Sequence, residues 1–398
     1  MEQCVSTHIF LFPFSLKDCG GMESISKDLL QTGWVRDRFE YTTGDYGDNF
    51  SLQAYFHNFA IGALLDDGSK HSVIESYKKT IGEKAKYIID VVGSKHWEPV
   101  TYELDVEKIT LNIYDGKVGI LAFHLLNFKY NDFQDVLAIN DFGRRIHPLY
   151  FRMDQNGDID LSEVKRKLLP NKIVLDIDND SAVFEEDFSK YLSKNEHPFV
   201  LPNYITAILP KSLHRAHWLQ GDIMYAITWY GNDELSVNLN LSFSPTDICK
   251  AYDDRDALYD YYDKWYRYVF VYKNRNSCNS KSRFVDQVKS ATYDRWASNG
   301  SLYGVSRFAF VALTNKNGYE MGRRYMRSMY YHMACLCIAQ RTMLLYFSNE
   351  IADITAELKD NKFDSETYDA VKKLNLDFIR FTNNIYFREV TLQLQGVE

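Results

Sequence analysis

The sequence has little of what a secreted, zinc-binding or nucleic-acid-binding protein needs. Its 398 residues contain six cysteines, none in a Cys-x-x-Cys pair, and no signal peptide precedes them. We therefore expect a reducing cytoplasm, without disulfides or zinc. Acidic residues outnumber Lys and Arg by 54 to 46, for a net charge of -8. This balance argues against general nucleic-acid binding, because neutralising phosphates needs a basic surface.

Membrane-spanning and catalytic patterns are also missing. The most apolar helical stretch, residues 329–347, is interrupted by His332, Gln340 and Arg341, so it does not predict a span. The sequence has no nucleophile elbow, Walker loop, HExxH motif or triad spacing. We therefore expect a protein that is not an enzyme.

The residues that are present predict a globular α+β protein of two or three domains. Hydrophobic residues make up 45% and charged residues 25% of the chain. Strands are expected over residues 8–14, 201–208 and 223–230, with helices near 51–65 and 71–91. Residues 104–114 and 117–126, joined by Asp115-Gly116, predict a β-hairpin. The sheet is expected within the first 240 residues, followed by helices from Pro245.

This pattern predicts three regions. Residues 1–245 would form a mixed α/β domain, to which the resemblance described below assigns ligand sensing, residues 246–320 a helical connection, and residues 321–398 a long helical hairpin and stalk. At about 1.5 Å per residue, helices over 321–359 and 364–398 would be roughly 58 and 50 Å long. The second keeps its apolar spacing to Glu398, so we expect it to be cut in mid-element. Such a hairpin needs a partner for its apolar stripe, which predicts a homo-oligomer.

Two polar segments invite a metal-binding interpretation. Residues 152–163 match several positions of an EF-hand loop, but Arg152 occupies the first ligand position, so a structural turn is favoured over calcium binding. His214 and His217 lie three residues apart without a supporting carboxylate or cysteine, and a surface turn is favoured there.

A third segment suits a phosphate-bearing aromatic ligand. Residues 295–307 combine two arginines, aromatic side chains, small hydroxyls and two glycines in one break between helices, and Arg144-Arg145 adds two cations. The alternative is a loop whose aromatics anchor it to the sheet. The candidate ligand-binding residues are Arg295, Trp296, Asn299, Tyr303, Ser306, Arg307, Arg144 and Arg145.

The C-terminal quarter resembles a known family. The strings WASNGSLYGVSR (296–307), YHMACLCIAQRTMLLYFS (331–348) and FTNNIYFREVT (381–391), with Gln395-Gly396, resemble the cytosolic part of divergent bacterial CorA-like membrane proteins, including those encoded beside type III CRISPR systems. The resemblance covers residues 290–398, and the N-terminal part only by architecture.

The resemblance implies the cytosolic domain of an oligomeric channel, a pentamer by family analogy, on the cytoplasmic face of the bacterial inner membrane. Its two transmembrane helices would follow Glu398. The Gly-Met-Asn transport signature of the family is absent here, so ion selectivity is not carried over. For the CRISPR-associated branch it implies an antiviral effector gated by a nucleotide second messenger, S-adenosylmethionine joined to AMP.

Two other functions stay open. In a divalent-cation transporter, the acidic residues Asp253, Asp254 and Asp256 would bind Mg2+ between subunits. In a soluble helical scaffold, the hairpin would dock a partner protein.

Overall fold

A computed structural model describes residues 3–41, 48–91, 99–146, 170–178, 182–188, 201–218, 221, 223–239, 243–255, 257–273, 278–357 and 365–393. The strands are β1 (Ser6–Ser15), β2 (Trp34–Arg36), β3 (Ile74–Lys79), β4 (Lys86–Val91), β5 (Val100–Tyr114), β6 (Val118–Asn127), β7 (Lys172–Asp176), β8 (Val183–Asp187), β9 (His217–Trp218), β10 (Tyr225–Gly231), β11 (Thr292–Tyr293), β12 (Ser301–Val305) and β13 (Ala309–Thr314).

Helices lie between these strands and after the last of them. They are α1 (Met22–Gln31), α2 (Asp48–Tyr55), α3 (Asn58–Leu64), α4 (Phe133–Gly143), α5 (Asn203–Thr206), α6 (Asp233–Asn238), α7 (Pro245–Asp254), α8 (Ala257–Phe270), α9 (Lys281–Ser290), α10 (Tyr319–Arg327), α11 (Met329–Glu357) and α12 (Ser365–Asn384).

The described strands form one mixed sheet, which confirms a mixed α/β fold with a C-terminal helical region. Its main order is β11-β12-β13-β10-β1-β6-β5-β4-β7-β8, while β3 pairs with β5, β2 with β3 and β9 with β1. β10 and β13 are parallel, and the other described strand pairs are antiparallel.

Strand β1 lies at the centre of the sheet and is buried on both faces. Phe10, Phe12 and Phe14 enter one hydrophobic core, which includes residues of α4, α7, α8 and α9. Ile9 and Leu11 enter a second core, which includes residues of α3, α10 and α11. Because side chains alternate across a strand, helices must cover both faces, and three layers result.

The predicted first strand, the strand near residues 223–230 and the β-hairpin are confirmed. β5 and β6 meet at Asp115 and Gly116, whose φ angles of 47° and 64° are those of a type I′ turn. Asp and Gly tolerate this left-handed backbone better than most residues, which is why the local signal was reliable.

Two predictions in the first half are wrong. Residues 71–91 contain β3 and β4 in place of a helix, and in β4 the buried residues Tyr87, Ile89 and Val91 alternate with partly exposed ones, as in a strand. Residues 201–208 contain the short helix α5 in place of a strand, and its first turn follows Pro202.

The prediction that the sheet ends by residue 240 is also wrong. Region 246–320 begins with helices α7 to α9 but returns to the sheet as β11, β12 and β13. β13 joins the sheet by parallel pairing with β10, about 80 residues earlier, as in Ala226 opposite Ala309. No local pattern reports such a long-range pairing. The three predicted domains remain a prediction, but the sheet itself draws on residues 6–314.

The first C-terminal helix is not continuous. Ser328 (φ -123°, ψ -95°) separates α10 from α11, and its hydroxyl donates to the Arg324 carbonyl. Nor does α11 stand free as a stalk along its whole length, because its buried residues, such as Cys335 and Met343, belong to the core beside β1 and β6. None of the described helices has the length and hydropathy needed to cross a membrane.

The second C-terminal helix ends at Asn384, so the prediction of a helix running to Glu398 is wrong. The chain then turns back onto the protein. Gln340 Nε2 donates to the carbonyls of Ile385 and Phe387 at 2.8 and 3.2 Å, and the Thr391 hydroxyl donates to the Tyr55 carbonyl at 2.6 Å. These hydrogen bonds take the place of the backbone hydrogen bonds that a continued helix would form. The apolar periodicity of the sequence does not predict them. Residues 394–398, the turn at 359–362 and the loop at 152–163 lie outside the described residues.

A buried polar network joins β1, β6, β10 and α4. His8 Nδ1 donates to Asn140 Oδ1 at 2.7 Å, the Ser6 hydroxyl donates to His8 Nε2 at 2.9 Å, and Asn127 Nδ2 donates to the Ser6 hydroxyl at 2.8 Å. The Thr228 hydroxyl also donates to Asn140 Oδ1 at 2.8 Å. Burial lowers the pKa of His8 from 6.5 to about 4, although its bond to Asn140 opposes the shift. His8 is therefore neutral in the folded protein near pH 7.

We expect the free energy of unfolding to fall as the pH drops from 6.5 to about 4. The unfolded chain takes up a proton on His8 that the folded state rejects, which costs about 3 kcal/mol over this window. Urea unfolding at several pH values measures the slope. His8→Gln should reduce this slope but not abolish it, because burial also lowers the pKa of His124 and of His332. His71→Gln, at an exposed position, is the control. Equal slopes in wild type and His8→Gln would contradict this assignment.

Candidate functional site

Five tyrosines from five elements meet where α11 begins. This tyrosine cluster consists of Tyr55 in α2, Tyr293 in β11, Tyr303 in β12, Tyr325 in α10 and Tyr330 in α11. The ring centroids of Tyr303 and Tyr330 lie 5.6 Å apart, and those of Tyr293 and Tyr303 lie 6.4 Å apart. The cluster therefore joins the last strands of the sheet to the start of the C-terminal helices.

Strand alternation places Tyr303 in this cluster. Its neighbour Leu302 packs in the core on the opposite face, and Gly304 lies so close to α8 that an added Cβ would approach Val269 at 2.4 Å. Tyr303 must then face α11. The break at Ser328 brings in two more members, because it lets Tyr325 and Tyr330 approach with their ring centroids 6.4 Å apart.

Two hydroxyls of the cluster are buried without a hydrogen-bond partner among the described residues, those of Tyr55 and Tyr293. The Tyr55 hydroxyl lies near that of Tyr330 but does not form a bond of acceptable geometry. A buried unpaired hydroxyl costs about 1 to 3 kcal/mol, so such groups in a native protein call for an explanation. A bound polar molecule that forms hydrogen bonds with these hydroxyls is one such explanation.

Three members of the cluster are uncharged near pH 7. Burial raises the pKa of Tyr55 and of Tyr303 to about 12, and the other groups that act on them are further tyrosines. Burial likewise raises the pKa of Tyr330 well above its usual value. The phenols of Tyr55, Tyr303 and Tyr330 are therefore protonated near pH 7, so each of them can both donate and accept a hydrogen bond. This environment suits a planar ligand with polar edges.

Of the residues proposed from the sequence, only Tyr303 lies in the tyrosine cluster. Arg295 stacks on Trp296, with its guanidinium carbon 5.2 Å from the ring centroid, and both side chains are exposed, Trp296 by 37%. Asn299 is also exposed and accepts from Asn315 through its backbone carbonyl at 3.3 Å. These three residues precede β12, whereas Arg307 follows it. The segment therefore does not form one pocket.

Ser306, Arg144 and Arg145 are engaged inside the protein. The Ser306 hydroxyl donates to the Val269 carbonyl at 2.7 Å and orders the turn between β12 and β13. Arg144 Nη1 donates to the Phe308 carbonyl at 3.1 Å, and Arg145 Nη2 pairs with Asp141 at 2.8 Å. The two arginines are buried. Their positions favour a structural role over the predicted direct contact with a ligand.

Arg307 is exposed and lies near Arg341 of α11, close enough for the two charges to interact. Sequence analysis missed Arg341 and four members of the tyrosine cluster. They come from four separate elements, and no spacing along the chain marks them as neighbours. The clearest available signal was the number of tyrosines, 29 in the chain.

The described residues hold no group of three or more His, Cys, Asp or Glu side chains placed to bind a metal ion. Asp253 pairs with Lys281, and Asp254 is exposed, while Asp256 lies outside the described residues. The two candidate histidines each have a separate partner. The His214 ring bonds to the Thr206 carbonyl at 2.9 Å, and His217 bonds to Asp18 at 2.7 Å.

Fold and site together define a mixed α/β protein with a tyrosine cluster at the start of helix α11. Comparison with protein families, curated proteins and solved structures finds no match to this chain. The resemblance to CorA-like proteins therefore remains a hypothesis.

The Tyr293 hydroxyl offers a test of the cluster. We expect Tyr293→Phe to leave the free energy of unfolding unchanged or raise it by about 1 kcal/mol, because the lost hydroxyl has no partner. Tyr87→Phe is the matched comparison, since the fully buried Tyr87 hydroxyl donates to the Gly143 carbonyl at 2.7 Å. It should destabilise by about 1 kcal/mol in urea unfolding. A larger loss for Tyr293→Phe would show that its hydroxyl is bonded within the protein.

Proposed function

We propose that this chain is the ligand-sensing part of an oligomeric CorA-like membrane channel, acting as a type III CRISPR antiviral effector. The proposed ligand is the nucleotide second messenger S-adenosylmethionine joined to AMP. The observation that carries the proposal is the tyrosine cluster, with its unpaired hydroxyls at the start of α11.

The chemistry of the cluster supports such a ligand. Adenine rings stack on aromatic side chains, and each base stacked in this way contributes about 1 to 3 kcal/mol. The unpaired hydroxyls of Tyr55 and Tyr293 would bond to the edge nitrogens of a base. A sulfonium cation is also stabilised over tyrosine faces, with no need for a carboxylate.

The position of the cluster supports a sensor. Tyr325 and Tyr330 lie on either side of the break at Ser328, and α11 continues from there across the sheet. A ligand between these rings contacts both sides of the break. It shifts the orientation of α11 if it binds one arrangement of the two helices better than another. The hairpin formed by α11 and α12 would transmit that change.

The outer face of this hairpin supports an oligomer. Leu344 and Ile351 lie seven residues apart on α11, and Val371 and Phe378 lie seven apart on α12, so each pair shares one helix face. Their exposed fractions are 45%, 55%, 39% and 43%. Apolar side chains at seven-residue spacing are typical of helices that pack against further helices. We propose a second copy of this chain there, within a homo-oligomer that is a pentamer by family analogy.

The proposal places this chain on the cytoplasmic face of the bacterial inner membrane, and it requires membrane-spanning segments that the described residues do not include. The regulatory domain of a divalent-cation transporter and a scaffold for a partner protein are the alternatives.

Isothermal titration of the protein with S-adenosylmethionine-AMP, ATP and magnesium chloride distinguishes these functions. We expect binding of the first, weakened about fivefold by Tyr293→Phe, because one hydrogen bond of about 1 kcal/mol is lost. Tyr303→Ala should weaken binding further by removing a stacking ring. Tyr368→Phe, at an exposed position on α12, is the control.

Other outcomes would contradict the proposal. Binding of magnesium alone would favour the transporter domain, and no binding of any titrant would favour the scaffold.

The oligomer is tested separately. We expect Ile351→Glu and Val371→Glu to shift the protein to a smaller species in sedimentation velocity, because a charge in an apolar helix interface is costly. Val237→Glu, at a 66% exposed position on α6, should leave the sedimentation coefficient unchanged. A wild-type protein that sediments as a monomer at all concentrations would overturn the assigned interface.

A further inference from the structure

Two tyrosines form a right-angled aromatic corner where helix α7 meets helix α8. Tyr252 lies in the last turn of α7 and Tyr259 in the first turn of α8. Their ring centroids are 5.6 Å apart, and the two ring planes are inclined at 85°. Both side chains are only partly buried, so the corner is open to solvent on one side.

A cation of the chain itself lies in this corner. The guanidinium carbon of Arg255 is 4.0 Å from the ring centroid of Tyr252 and 4.1 Å from that of Tyr259. Both distances are well within the range of roughly 6 Å over which a cation is attracted to an aromatic face. Arg255 is exposed, and no carboxylate among the described residues forms an ion pair with it. Two ring faces therefore hold a guanidinium group here.

Neighbouring groups fix the two rings in place. The fully buried Phe284 of α9 packs against both, with its centroid 5.4 Å from that of Tyr252 and 5.8 Å from that of Tyr259. The Tyr252 hydroxyl donates to the Asn279 carbonyl at 3.2 Å. Tyr266 of α8 packs on Phe284 in turn, at 5.3 Å. A ligand would meet rings that are already in position, which lowers the entropy cost of binding.

The charge around the corner favours a cation. Asp254 precedes Arg255 at the end of α7, Asp260 follows Tyr259 in α8, and both carboxylates are exposed. Carboxylates beside a site attract a positive group and repel an anion. The aromatic faces have the same preference, because the face of an aromatic ring is its negative part. The ligand class that fits this corner is therefore an organic cation.

The cation that now occupies the corner can be replaced. The φ angle of Arg255 is 50°, in the left-handed region that residues other than Gly, Asn and Asp seldom adopt. Its backbone amide donates to the Ala251 carbonyl at 3.0 Å and ends α7 there. This cap does not involve the Arg255 side chain. The guanidinium group can therefore leave the corner without loss of the helix end.

We propose that the corner of Tyr252 and Tyr259 is a binding site for a guanidinium group, which Arg255 occupies until a ligand displaces it. A guanidinium group is planar, stacks on aromatic faces and is less strongly hydrated than an ammonium group, so the site prefers arginine-type to lysine-type ligands. The source of the group is either an arginine side chain of a peptide or a small guanidino compound.

This site is separate from the proposed function. Tyr252 and Tyr259 pack against the first hydrophobic core, whereas the tyrosine cluster packs with the second core on the other face of the sheet. Failure of nucleotide binding at the tyrosine cluster would leave the guanidinium site unaffected.

Saturation-transfer NMR with the full chain tests the site, because it detects weak binding of small probes. The probes are methylguanidinium, which is the bare group, and acetyl-arginine methylamide, which presents the group as a peptide does. Acetyl-lysine methylamide has the same charge and is the matched control ligand. We expect saturable binding of both guanidinium probes, and about fivefold weaker binding of the lysine probe. Tighter binding of acetyl-arginine methylamide than of methylguanidinium would identify a peptide as the source, and equal affinities a small guanidino compound.

Removal of the tethered cation should strengthen probe binding. Asn tolerates the left-handed backbone, so Arg255→Asn empties the corner and keeps the helix end. We expect it to lower the Kd of both guanidinium probes about fivefold, because the corner is then vacant all the time rather than for a minor fraction of it. Arg283→Asn removes the same charge from an exposed position on α9 and should leave the Kd unchanged.

The two rings are tested in the Arg255→Asn background. Tyr252→Leu and Tyr259→Leu should each weaken probe binding about fivefold, because each removes one aromatic face. Tyr252→Phe should retain the affinity, since it keeps the ring and removes only the hydroxyl that bonds to the Asn279 carbonyl.

Four results would overturn the site. They are the absence of saturable probe binding to Arg255→Asn, an equal gain in affinity from Arg283→Asn, unchanged binding after both leucine substitutions, or binding of the lysine probe as tight as that of the arginine probe.

Discussion

The burial of β1 on both faces is the constraint on which the rest of the structure depends. β1 pairs with β6 and β10 at the centre of the sheet, and its ten residues are all buried. Exposing either face would return a row of apolar side chains to water, at about 25 cal/mol per Å². The network around His8 adds hydrogen bonds that fix β1 to α4 and β10. Helices must then cover both sides, and α11 is one of the helices required.

That requirement positions the candidate site. As α11 covers the second face, its first turn meets β12 at the tyrosine cluster. The same helix therefore helps to form the core, contributes to the tyrosine cluster and continues into the exposed hairpin. In the proposed function, a ligand bound at the cluster would be connected to the hairpin through α11, because a shift of one end of a rigid helix also moves its other end.

The predicted elements that proved correct depend on neighbouring residues. The Asp115-Gly116 hairpin formed because its turn needs residues that tolerate positive φ, and the helices after Pro245 formed because their apolar spacing is helical. The predictions that proved wrong concern elements whose structure depends on residues far away along the chain. β13 is a strand because β10 accepts it as a parallel partner, and α12 ends at Asn384 because Gln340 and Tyr55 bind the chain that follows. Residues 71–91 were predicted as a helix because their apolar spacing was read with the helical period, whereas β3 and β4 have the two-residue period of strands. In short amphipathic segments the two periods are hard to distinguish.

By itself the sequence determined the chemistry of the chain, including its acidic balance, its many aromatic residues, the β5-β6 hairpin and the arginines and tyrosine of residues 295–307. Only the tertiary structure decided which of these side chains meet. It separated Trp296 from Arg307, engaged Arg144 and Arg145 within the fold, and brought Tyr303 together with four tyrosines from other elements. The physical reason is that periodicity and turn propensity act over a few residues. The meeting of Tyr303 with Tyr330 depends on how a whole helix packs across a sheet.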